Sequence, residues 1–155
     1  MTYQEYKDQQ QKEFNALPIF FAFNRDQFAR EMEKRGLTAN DTDKIYSLGA
    51  GGYYLRSDAP IIRAYFKKTD PIRELMNDTE FAVSAFYYEM GNHEYHINTY
   101  QGDWDVCSCF GSCEYAEDKN YADYLKEMGY SDEVIRDFQI ARDKFFKACN
   151  DNDLW

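Results

Sequence analysis

The sequence predicts an α+β fold: a small antiparallel or mixed sheet packed by several helices, with a helical C-terminal end. Three observations point there. Short apolar runs at Leu17–Phe23 and Ile45–Leu55 have strand length and composition. Capped segments with helical apolar spacing surround them and fill the last third of the chain. Hydrophobic residues make up 44% of 155 and aromatic residues 18%, which is enough to fill a sizeable core.

In chain order, Thr2 to Asn15 reads as a polar surface helix anchored by Tyr3, Tyr6 and Phe14. The apolar run that follows fits a buried strand, with Pro18 confining any pairing gap to its start. Asn24 suits the N-cap of a helix over Arg25–Arg35, and Gly36 suits its stop. Ile45–Leu48 and Tyr53–Leu55 read as strands around Gly49-Ala50-Gly51-Gly52. Ser57 or Asp58 caps a helix with Pro60 in its first turn, and Asp70-Pro71 restarts helical structure.

Residues 79–97 admit two readings. Phe81, Ala82, Ala85, Phe86, Met90, His93 and Ile97 fall near one helical stripe. Gly91-Asn92 also suits a hairpin turn between strands. The helix, capped near Asp78 or Thr79, is favoured. His96–Tyr100 and Trp104–Phe110 read as short strands around Gln101-Gly102-Asp103. Two clear helices follow, Asp118–Met128 ended by Gly129, and one begun at a Ser131 cap. The chain reads as a single domain over 1–155, with a frayed tail at 150–155 where Leu154 and Trp155 have the means to dock.

Composition excludes several classes. No apolar run approaches the ~20 residues that span a bilayer. The polar N-terminus is not a secretory signal, so the reading is cytoplasmic, with Cys107, Cys109, Cys113 and Cys149 as reduced thiols. A net charge of −10 disfavours direct contact with nucleic acid and with anionic membranes. Oligomeric state leaves no mark.

Several segments together resemble an uncharacterised family of small proteins from gut bacteria, phages and other mobile elements. They are Pro18–Phe23 with Gln27-Phe28, the run Asp43–Tyr53, Ser57-Asp58, Asn92-His93-Glu94-Tyr95, and the two-helix end around Tyr124–Phe146. The chain departs from that pattern between His96 and Lys119. The resemblance implies a shared fold and a mobile-element setting, with no activity and no catalytic residues.

The most unusual segment is Glu74–Asp118, which carries ten carboxylates and no lysine or arginine. It also holds both histidines and three of the four cysteines. Zinc takes thiolate and imidazole ligands, so Cys107, Cys109, Cys113 and His93 are the metal candidates. Their spacing is not a paired CxxC, and reduced cysteines commonly act as small apolar residues. Otherwise no cofactor is expected. A Cys109 or Cys107 nucleophile served by His93 or His96 is opposed by the surrounding negative charge. His93-Glu94 does not extend to HExxH. The glycine run lacks the phosphate-loop lysine and reads as a turn.

The acidic surface is then the leading feature. The expected protein is a non-enzymatic acidic binding protein that meets a basic protein surface, with no direct nucleic-acid contact. Glu89, Glu94, Asp103, Asp105, Glu114 and Glu117 would supply charge. Trp104, Tyr53 and Tyr54 would supply aromatic contact. In a mobile-element setting the partner would be a nucleic-acid-binding host protein, and the mode DNA-mimic inhibition of anti-CRISPR or anti-restriction type. The alternatives are a small metal-dependent or cysteine-based enzyme acting on a nucleotide or peptide, and a scaffold or dimerising module.

Overall fold

The computed structural model describes residues 1–155. Its architecture is α+β, with one three-stranded antiparallel sheet of order β1-β3-β2 and a helical C-terminal end. The sequence shows no linker, yet contacts gather into two compact units, residues 9–69 and residues 1–8 with 70–155. The first boundary falls inside helix α1 (Tyr3–Asn15), where composition does not change.

Residues 9–69 contain the sheet. Strand β1 is only Phe20–Phe21, shorter than the apolar run around it. It pairs with β3 (Gly52–Leu55), which also pairs with β2 (Ile45–Gly49). Ala50 and Gly51 between them both have positive φ, 49° and 79°, as a tight type I′ hairpin requires. A Cβ on Gly51 would lie 2.6 Å from the Phe23 ring, so the glycine run has a structural purpose. Helix α2 (Arg25–Glu33) starts where Asn24 accepts from the Gln27 N–H. Phe20, Met32 and Ile45 form the small core under the sheet, flanked by Phe28 and Tyr53. Helix α3 (Ala59–Lys67) carries Pro60 in its first turn, as expected.

The second unit is helical. After the short α4 (Ile72–Leu75), the ambiguous segment forms α5 (Thr79–Asn92), with Asp78 accepting from the Phe81 N–H. Helix α8 (Asp132–Asp151) is its main packing partner, capped by Ser131. Phe81, Ala85, Phe86 and Met90 meet Val134, Phe138, Ala141 and Phe145 in one buried cluster. Phe86 and Phe138 pack edge to face at 5.0 Å. Helix α7 (Tyr121–Glu127) starts three residues later than expected, because Asn120 and Asp123 form a reciprocal capping box.

One expectation is corrected here. The strands expected at His96–Tyr100 and Trp104–Phe110 are absent. Helix α6 (Thr99–Cys107) occupies this stretch, followed by a 3-10 turn at Ser108–Phe110. Asn98 accepts from the N–H groups of Tyr100 and Gln101, and the missing Cβ of Gly102 admits the Tyr95 ring. Residues 150–155 are all exposed, and Trp155 makes the kind of docking contact that the sequence allowed. Helix α8 reaches Asp151, and the Trp155 ring lies 5.3 Å from that of Phe146. No helix is long and apolar enough to cross a membrane.

Candidate functional site

The base-free segment does not form one continuous acidic face. Glu89 and Asp103, expected on that surface, lie inside the helical unit with 2% and 9% of their area exposed. A buried carboxylate persists only where donors surround it. Asp103 accepts from the Tyr95 hydroxyl and, at 3.0 Å, from the Tyr121 N–H. Burial pushes its carboxyl above the ordinary carboxylate value, and those hydrogen bonds and the Arg142 charge offset only part of that rise.

Glu89 has a richer set of partners. Its Oε1 accepts from the Tyr3 hydroxyl at 2.6 Å and lies 3.3 Å from the Lys7 ammonium. Its Oε2 accepts from Asn92 Nδ2 at 3.1 Å. Burial pushes the Glu89 carboxyl up. The hydrogen bonds from Tyr3 and Asn92, with the charge of Lys7, outweigh that and leave it below its ordinary value.

Four residues on, His93 closes α5 on the same helical face as Glu89. Its Nε2 lies 3.5 Å from Glu89 Oε2 and 3.4 Å from Cys109 Sγ. The 3-10 turn after α6 delivers Cys109 to this point. Cys109 is an exposed residue, but its sulfur rests against His93 and the Asp105 carbonyl. One ligand atom from each of Glu89, His93 and Cys109 lies within 4.8 Å of the other two.

Of the four expected ligands, this grouping brings together only His93 and Cys109. Cys107 is buried, with its thiol toward the Tyr121 carbonyl at 3.9 Å, and Cys113 is half-buried elsewhere. Residues two apart on a helical path do not share a face, so Cys107 and Cys109 diverge. His96 packs beside Phe145 and Trp155 instead. Activation of a thiol by histidine is disfavoured on two counts. Thiol and carboxylate address the same ring nitrogen, so the ring cannot be oriented through one nitrogen while acting through the other. Burial, and then the Glu89 charge, push the Cys109 thiol up to about 12.

The remaining candidates are dispersed. Glu94, Glu114 and Glu117 are exposed and Asp105 is half-buried. Trp104 is half-buried, its indole N–H donating to the Cys113 carbonyl at 3.0 Å, with Tyr115 edge-on to its ring. Tyr53 and Tyr54 belong to β3, where Tyr53 stacks on Phe20 and Tyr54 packs against Tyr46. A polar hollow of about 250 Å³ brings Tyr100 together with Asp103, Glu117, Asp118, Lys119 and Arg142. Lys119 is engaged by Glu127 at 2.9 Å, and Arg142 lies over the Phe146 ring.

A model described as a family of unknown function, DUF7659, matches residues 2–105. The chain belongs to that family. No curated protein and no solved structure matches it. The DUF7659 match takes in Tyr3, Lys7, Glu89, Asn92 and His93 and ends before Cys109, α7 and α8. The carboxylate network therefore lies within the family region, while the cysteine that completes the cluster lies beyond it.

Tyr3, Lys7 and Asn92 were not evident as functional neighbours from the sequence. A signal for Glu89 was present. It falls four after Ala85 and three after Phe86, on the apolar stripe of α5, where an acid needs a partner.

Proposed function

We propose that this DUF7659 protein binds a basic protein partner through the exposed acidic and aromatic surface of residues 94–118. One observation carries the reading: Tyr100, 71% exposed, shares a hollow with Glu117 and Asp118, where the two neighbouring cations, Lys119 and Arg142, are engaged by Glu127 and the Phe146 ring. A large exposed aromatic ring beside carboxylates suits a protruding lysine or arginine, since it offers cation–π contact and charge together. Ile97 and Tyr115 are also exposed, and Glu94 and Glu114 add charge along the same segment.

The finer form of the proposal is a decoy for nucleic acid. A mobile-element protein of this kind would occupy the basic groove of a host nucleic-acid-binding protein. Glu89 and Asp103 take no part, because their oxygens are engaged inside the fold. Long-range attraction between the acidic surface and the groove would speed association. Exchange of Glu94, Glu114 and Glu117 for lysine tests the reading: association should slow and its dependence on salt should weaken.

A further inference from the structure

We propose that Glu89, His93 and Cys109 form a binding site for a single zinc ion. The spacing fits. With zinc–sulfur bonds of ~2.3 Å and zinc–nitrogen or zinc–oxygen bonds of ~2.0–2.1 Å, tetrahedral geometry sets ligand atoms roughly 3.3–3.6 Å apart. The Cys109 Sγ to His93 Nε2 distance is 3.4 Å, and His93 Nε2 to Glu89 Oε2 is 3.5 Å.

Without an ion, hydrogen bonds can hold these groups: the Cys109 thiol donates to the Asp105 carbonyl at 3.3 Å, which leaves its sulfur able to accept from His93. One imidazole nitrogen faces both a thiol and a carboxylate. A protonated Nε2 divides one hydrogen between two acceptors, whereas a metal would use its lone pair. A cation at the shared point satisfies all three groups. The donor types also select the ion. Thiolate with imidazole favours zinc over magnesium or calcium, which take all-oxygen shells.

The surroundings are built to hold the carboxylate. Tyr3 and Lys7 engage Oε1, and Asn92 steadies Oε2, which faces His93. Such supporting hydrogen bonds orient metal ligands and raise affinity. His93 and Cys109 are exposed, so the ion has a route in and water can fill a fourth position. Binding requires the Cys109 thiol to give its proton to solvent, so one proton leaves per ion and affinity rises with pH.

Cobalt(II) titration of the full chain, followed by zinc competition, tests the site. The expected result is one equivalent bound, with a thiolate-to-cobalt charge-transfer band that zinc abolishes. Cys109→Ser should remove the band, while Cys113→Ser should leave it unchanged. Tyr3→Phe should weaken binding by roughly tenfold. Cys109 is exposed, so its replacement remains informative even where Glu89→Gln fails to fold. No band in the parent protein, or a band that survives Cys109→Ser, overturns the assignment.

Discussion

The Tyr3 hydroxyl donates to Glu89 Oε1 at 2.6 Å and ties the first turn of α1 to the last turn of α5. The pair spans 86 residues of sequence. It explains how a carboxylate stays ionised at a position with 2% exposure, and why a tyrosine near the chain start is buried. Tyr3 also packs on Tyr6, Phe81 and Tyr88, so its ring belongs to the core while its hydroxyl serves the acid.

Tyr3→Phe keeps the ring and removes the donor. Stability at neutral pH should fall by about 1.5–3 kcal/mol, the usual worth of a hydrogen bond to a charged group. Glu89 titrates below its ordinary value, so its contribution is present above the unfolded carboxylate range and is lost as pH falls through the folded value. The gap between parent and variant should therefore narrow in acid. Urea denaturation across that pH range measures it, and equal stability at pH 7 would count against the network.

Asp103 has the opposite sign. Burial holds its carboxyl above the ordinary value, so the folded state binds the proton more tightly. Its contribution is fully present below the unfolded carboxylate value and is lost as pH rises through the folded one. Asp103→Asn can still accept from the Tyr121 N–H while its amide donates to the Tyr95 oxygen. This variant should match or exceed the parent in thermal stability at neutral pH. Asp103→Ala leaves the Tyr95 hydroxyl without its partner and should lose about 1–3 kcal/mol. An asparagine variant less stable than the alanine variant would refute the assignment.

Gly102 lies inside α6, where alanine ordinarily improves a helix by up to ~1 kcal/mol. Here an added Cβ would stand 2.6 Å from the Tyr95 ring, a buried and hydrogen-bonded side chain. Gly102→Ala should destabilise by about 1–3 kcal/mol, the cost of overpacking. A raised melting temperature would show that Tyr95 moves freely.

These residues also show what the sequence made legible. Helix α5 was the favoured of two readings, from the Asp78 cap and the stripe through Phe81, Ala85 and Phe86, although that stripe ran on to His93 and Ile97 beyond its end; α8 was readable from Ser131 and its apolar spacing. The β2–β3 hairpin was marked by its glycines. Helix α6 was not readable, because Gly102-Asp103 has the composition of a turn. Its reason for being helical is tertiary: Tyr95 needs the glycine, and Asp103 needs partners 8 and 18 residues away. The candidate site was half legible. His93 and Cys109 stood out by chemistry, whereas Glu89 was grouped with surface acids because two of its three partners, Tyr3 and Lys7, come from α1.

A paired pull-down shows whether the exposed acids hold a partner. Parent protein and the Glu94→Lys, Glu114→Lys, Glu117→Lys variant serve as paired baits in bacterial extract, with bound proteins quantified at low and high salt. A basic nucleic-acid-binding protein should be enriched on the parent, released by salt or by added DNA, and missing from the variant. The same set of proteins on both baits, insensitive to salt, would contradict it.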